Sequence, residues 1–356
     1  MLKHFYFLVS LYKKLRWNFI YFILRLPQSF VVKYFKTKYN DRIYRDIIFL
    51  ASKIGNKEEH GNLIKKSRFW DISHVEDYSW EMFYNSDNWQ EQSKHLSYLS
   101  TISNIEYSKT HYYSLKEISK RDQYIVKNVD GYNNIIDLWI KTYGNVAMIM
   151  LSDELGSMSK DIFNVYDEQA TEFNFWTTFI SGSHAGASNA GLALHYLVKF
   201  LVNKNPDIKI NSLKKYNKYL KRYIHHVQLS YDYNMGFASP HEGIELGTFQ
   251  LKTATILGII QKRLKIFSIL DMDEIKGFLA YLDRSMTPDM DHHPSGNDSG
   301  IHINLNIIMT YYITSEKDSH EYKIANKLLN SFLEEDDIYY YNRIFNLNKV
   351  HSKIVS

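Results

Sequence analysis

Three short stretches rich in glycine, histidine and small polar residues stand in the C-terminal half of the chain at nearly even spacing. They read Ser181-Gly182-Ser183-His184-Ala185-Gly186, Ala238-Ser239-Pro240-His241-Glu242-Gly243 and Pro294-Ser295-Gly296-Asn297-Asp298-Ser299-Gly300. His184 and His241 are 57 residues apart, and His241 and Asn297 are 56 apart. Imidazole titrates near neutrality, and paired carboxylates supply the acid and base of glycoside hydrolysis. His184, His241, Glu242, Asn297 and Asp298 are therefore the candidate catalytic set. In a hydrolase, Glu242 and Asp298 would be the two carboxylates. In a lyase, Asn297 with a histidine would neutralise a uronate carboxylate while His184, His241 or Tyr231 removes the α-proton. His195 and His302, a few residues into the helices that follow, and Tyr231 are candidate substrate-binding residues. The same residue types are also ordinary helix-cap and turn residues, so each stretch alone has a purely structural explanation.

Other chemistries find less support. The run Asp289, Asp291, His292, His293 carries metal-ligand side chains, yet its spacing matches no standard site, and position 245 is Glu where a HExxH zinc helix needs its second histidine. No metal or other cofactor is expected. The sequence has no cysteine, which excludes disulfide scaffolds, thiolate zinc sites, iron–sulfur clusters and thiol nucleophiles. It also lacks a GxxxxGK[ST] phosphate loop, a GxGxxG after a strand and a GxSxG elbow, which argues against nucleotide-binding and α/β-hydrolase chemistry.

The elements that must position these residues are legible in the charge pattern. Each glycine stretch leads into an apolar segment of helix length, and each apolar segment is followed by a charged one. Segment 188–203 has Lys199 as its only charged side chain and 300–313 has none, the pattern of a helix buried nearly all round. Segment 211–230 carries many cations with Leu213, Tyr216, Leu220 and Ile224 at helical spacing, the pattern of an outer helix with one buried stripe. The predicted order is inner helix 188–203, outer 211–230, inner 244–264, outer 272–284, inner 300–313 and outer 320–334. Pro206, Pro240, Pro288 and Pro294 fall between helices in this scheme, with Asn211 and Asp271 as N-caps. A weaker fourth copy opens at Val129-Asp130-Gly131-Tyr132, and long period-2 alternation is absent, so strands are not expected to dominate. Six helix pairs of about 57 residues would use nearly the whole chain. The predicted fold is all-α, an (α/α)6-type toroid, and in such a ring the turns before the inner helices converge on one end of a central cavity. Residues 41–356 are assigned to this single domain, with the repeat strongest over 129–335.

Residues 1–40 are different. They hold eight Lys and Arg, no Asp or Glu, and the aromatic runs 5–9 and 17–24. Neither run approaches the ~20 apolar residues of a membrane span, and no signal-peptide cleavage pattern follows. The segment reads as a basic aromatic-rich helix suited to an anionic membrane surface through residues 1–38. The chain's 356 residues carry a net charge of only +4, which argues against a nucleic-acid partner. The expected location is cytoplasmic, peripheral on the membrane. The expected ligand is a glycan or another small molecule.

Two resemblances attach to the glycine stretches. Gly182-Ser183-His184-Ala185-Gly186, with Gly191 following, is similar to the turns of lanthionine cyclases, which are α/α toroids; their zinc ligands include cysteines, so this resemblance implies a zinc-free, peptide-modifying relative. His293-Pro294-Ser295-Gly296-Asn297 and the Tyr/Trp-rich inner faces resemble glycan-active toroids, the polysaccharide lyases and glycoside hydrolases, implying a catalytic cleft in the ring. Asp271-Met272-Asp273-Glu274 resembles the DxDD motif of class II terpene cyclases, with Glu in the last position. A non-catalytic helical-repeat binding module is the remaining reading.

Overall fold

The computed structural model describes residues 37–55, 160–172, 183–229, 231–232, 236–238, 245–285, 310–312 and 314–334, together with the single residues 15, 143, 147, 150 and 308. The described residues are helical apart from short connections and one small β-hairpin. The helices are α1 (Asn40–Ala51), α2 (Lys160–Glu172), α3 (Ser183–Val202), α4 (Pro206–Leu229), α5 (Glu245–Arg263), α6 (Asp273–Ser285) and α7 (His320–Glu334), with a 3-10 turn at Ile269–Asp271. The described positions between 308 and 314 are also helical. Strands β1 (Tyr231–Asp232) and β2 (Phe237–Ala238) pair antiparallel, Tyr231 opposite Ala238 and Asp232 opposite Phe237. Gly236, at φ +81°, provides the left-handed turn before β2, a conformation nearly free for glycine. This hairpin escaped the sequence reading because two-residue strands carry no periodicity.

The alternation of apolar and charged segments becomes an alternation of buried and half-buried helices. Every residue from Ala190 to Val198 is buried, as are Ala254 to Gln261 of α5. Leu213, Tyr216, Leu220 and Ile224 form the buried stripe of α4. The C-terminal part of α4 is sealed further than its sequence suggests, since Arg222, His225 and His226 are buried there too.

Side-chain pairings fix how the helices run. Lys209 lies over the Phe200 ring at 4.9 Å and Lys215 over Tyr196 at 4.8 Å, so α3 and α4 form an antiparallel hairpin about their short connection. Gln261 Nε2 donates to Tyr216 Oη at 2.9 Å, which sets the last turn of α5 beside α4. Phe267, just past α5, donates its N–H to Asp46 of α1, whose end meets the first turn of α4 where Lys209 Nζ reaches the Lys53 carbonyl at 3.5 Å. α5 therefore ends toward the start of α4 and runs in the direction of α3. Lys276 pairs with Glu321 at 3.0 Å and Asp283 with Lys327 at 2.7 Å, so the outer helices α6 and α7 run parallel. Lys262 Nζ reaches the Thr314 carbonyl at 3.4 Å, so α5 and the helical stretch before Thr314 end side by side. α4 thus runs against α3 and α5, and α6 and α7 run alongside each other.

Several local expectations are corrected. α4 begins at Pro206 rather than near Asn211, because Asn205 Oδ1 accepts the Asp207 N–H at 2.9 Å and proline at the first helical position has no N–H to satisfy. Asn211 lies inside the helix and Pro206 is part of it. Asp271 does not cap α6: the Met272 carbonyl accepts the first helical bonds, from Ile275 and Lys276, and the Asp271 carboxylate pairs with Lys262 at 3.1 Å. The first glycine stretch is no turn from Ser183 onward, since α3 starts there and His184 is its second residue. The period did not reveal α1. That helix is held by Lys38, which bonds Asp273 and Glu274 at 3.1 Å each, and by Asp46 Oδ2, which accepts the Phe267 N–H at 2.6 Å.

Candidate functional site

Two polar centres stand out among the described residues, one closed and one open. The closed centre is built on α3. His195 is completely buried, with Nδ1 2.9 Å from the Tyr143 hydroxyl and Nε2 2.8 Å from Asp167 Oδ1. Asp167, on α2, also accepts Lys199 Nζ on both carboxylate oxygens, at 2.7 and 2.6 Å. Burial would raise the Asp167 carboxyl, but the bonds from His195 and Lys199 prevail and hold it at about 2. Burial lowers His195 below its ordinary value and lifts Tyr143 well above its own. The ring is therefore neutral, and the ionised carboxylate fixes its tautomer: Nε2–H donates to Asp167 and Tyr143 O–H donates to Nδ1. Phe163 stacks on the imidazole at 4.9 Å, and Tyr143 and Tyr196 meet it edge-on. Tyr143 is itself fully buried, so the chain from hydroxyl to carboxylate meets solvent only at its Asp167 and Lys199 end.

The open centre is a cleft of about 510 Å³ where α5 ends and α6 and α7 begin. Two ion pairs line it, Lys262 with Asp271 and Lys276 with Glu321. Arg42, lying over the Phe267 ring at 5.4 Å, and Lys265 add two further cations. Glu316 is the one further acid in the lining. Lys265 has φ +58°, the only non-glycine residue among those described in the left-handed region. It closes α5 with the paired bonds of a Schellman end, Ile266 N–H to the Gln261 carbonyl and Lys265 N–H to the Lys262 carbonyl, at the position glycine normally takes.

The predicted site residues distribute as follows. His195 is the buried imidazole of the closed centre, and Tyr231 is half-buried in β1. His184 lies in the first turn of α3, its side chain outside the described residues. His241, Glu242, Asn297, Asp298 and His302 lie outside the described residues, as does the run Asp289, Asp291, His292, His293. Among the described residues no three His, Asp or Glu side chains gather as a metal ion would require. No described helix is long and apolar enough to cross a membrane. The carboxylates of the 271–274 cluster are all engaged, Asp271 by Lys262 and Asp273 and Glu274 by Lys38. Sequence reasoning missed Tyr143 and also Asp167, which is one of several acids on a polar helix and so carried no signal of its own. It also missed Arg42 and Lys265.

The described residues define the class as all-α, helical throughout apart from short connections and the two-residue strands. The chain matches no known protein family, no curated protein and no solved structure.

Proposed function

We propose that the hairpins close into an (α/α)6-type toroid and that the protein acts on a glycan or glycoconjugate, by hydrolysis or elimination, at the end of the ring where the buried helices begin. The observation that carries this reading is the common direction of α3 and α5. Their first residues, Ser183 and Glu245, face the same end of the layer, next in sequence to His184 and to His241-Glu242. Helix N-termini at that end would favour an anionic group such as a uronate. The test is a panel of neutral and uronate-containing oligosaccharides, assayed for new reducing ends and for unsaturated products. Substituting His241→Ala or Asn297→Ala should abolish turnover with the melting temperature retained. Turnover unchanged by both substitutions, or no turnover on any glycan, would reject the assignment. The sealed state of His195 favours a second reading, a helical-repeat binding module in which polar clusters hold helices together.

The partner of the N-terminal region is proposed to be an anionic membrane surface. α1 directly follows the basic segment and presents Tyr44, Ile48 and Phe49, which are 65%, 53% and 41% exposed, with Arg45 on the same outer side and Lys53 over the Phe49 ring at 5.2 Å. Apolar rings beside cations suit the headgroup boundary, where each cation contributes on the order of 1 kcal/mol. Lys38 is engaged with α6, leaving seven cations in residues 1–36 for the surface. Sedimentation with phosphatidylglycerol vesicles should exceed that with neutral vesicles and fall when Tyr44, Ile48 and Phe49 are all changed to Ser. Equal sedimentation with both vesicle types would reject the proposal.

A further inference from the structure

We propose that the cleft at the ends of α5 and the 308–314 stretch is a second binding site, for the oxyanion of a small polar molecule, a phosphate or a carboxylate. It is separate from the glycan-acting end: α5 has 19 residues, which places its two ends about 28 Å apart. The proposal therefore stands whether or not the ring closes.

Three observations converge. The cleft has the volume of a small-molecule site. Its lining charges are unequal, because Asp271 and Glu321 are already paired with Lys262 and Lys276, which leaves Arg42 and Lys265 against Glu316, with the Asp46 carboxylate, engaged by the Phe267 N–H, attracting Arg42 from one turn along α1. Neither Arg42 nor Lys265 enters an ion pair among the described residues, and each is set in place by the fold. Arg42 is held on the Phe267 ring by α1, which Asp46 and Lys38 anchor. Lys265 occupies a left-handed position that favours glycine, so a side chain is carried there at a conformational cost, and sparsely populated backbone at a cleft is a mark of function. The Ser315 and Ser319 hydroxyls complete the lining beside Thr314, whose own Oγ1 donates to the Thr310 carbonyl at 2.7 Å. Ser319 Oγ accepts the Tyr322 N–H at 3.1 Å, capping α7 at the cleft edge. A guanidinium and an ammonium beside hydroxyl donors is a chemistry that recognises an oxyanion.

The test uses the full chain with inorganic phosphate and with glucuronate as probes, titrated calorimetrically against chloride at equal ionic strength. Wild-type protein should bind at least one probe beyond the chloride control, and preference between them separates a phosphate from a carboxylate ligand. Lys265→Gly removes the cation and relieves the backbone, so affinity should fall at least tenfold while the unliganded melting temperature holds or rises. Arg42→Gln should weaken binding comparably. Equal affinity in wild type and Lys265→Gly, or no binding of either probe beyond chloride, would overturn the proposal.

Discussion

The closed centre at His195 and the open cleft at Lys265 use similar side chains to opposite ends. At His195 a hydroxyl, an imidazole, a carboxylate and an ammonium satisfy one another in sequence, and stacked aromatic rings exclude water from all but the last two. At the cleft, charged groups also pair, yet cations remain in excess around open volume. Burial turns polar groups into a device that selects one packing, because an unsatisfied buried partner is costly. Exposure leaves them able to exchange water for a ligand. A histidine's chemistry is thus decided by its surroundings before its residue type matters.

The comparison breaks first at His195. Replacing it with Ala empties a fully buried site and strands the Tyr143 hydroxyl, so unfolding in urea should show a loss of roughly 3 kcal/mol. A variant that keeps its stability but loses a ligand or an activity would show instead that the closed centre is functional. Acid should act next, and again on the interior. Burial holds His225 and His226 at about 4, with the Lys221 charge contributing at His225, and it lowers His195 as well. The unfolded chain binds protons at these groups near pH 6.5 and the native state does not, so stability present at neutral pH is lost as pH falls from about 6.5 towards 4. Asp167 extends the loss only towards pH 2, as its carboxylate takes up the proton it resists in the fold. Urea midpoints at pH 7 and pH 5 should differ, and His226→Gln should narrow that difference.

Smaller effects test the packing of α5 against the 3-10 turn. A Cβ on Gly258 would come within 2.5 Å of Leu270 Cγ, where α5 meets the 3-10 turn and Ser268 Oγ donates to the Gly258 carbonyl at 2.7 Å. Gly258→Ala should therefore destabilise by about 1–3 kcal/mol as Leu270 is displaced. Lys265→Gly should do the reverse, adding about 1 kcal/mol by removing the left-handed lysine. A destabilised Lys265→Gly protein would mean that the lysine side chain contributes to the fold, and the contrast with His195 would narrow.

Much of the helical order was legible in one dimension. Segments almost without charge had to be buried, and cationic segments with a stripe had to lie outside them, so α3 to α7 were found with their boundaries shifted by a few residues. The start of α4 moved because Asn205 and Pro206 together make a better helix start than Asn211, a local competition that the apolar pattern does not register. The even 57-residue spacing belongs to the glycine stretches alone; α4, α6 and α7 begin at Pro206, Asp273 and His320, at unequal steps.

The candidate sites were less legible for a geometric reason. His195 sits on a helix buried on every side, and a helix with no polar face gives no signal of which direction faces a cavity. Its partners Tyr143 and Asp167 are 52 and 28 residues away in sequence. The cleft likewise draws Arg42 from α1 and Lys265 from the end of α5, segments joined only by folding. The amino-acid sequence by itself determined an all-helical chain, its buried and outer helices, a cysteine-free chemistry and a basic N-terminal segment, because these follow from composition and local periodicity. Only the tertiary structure decided which polar groups are sealed and which remain open, because burial and pairing depend on side chains that meet across long stretches of chain.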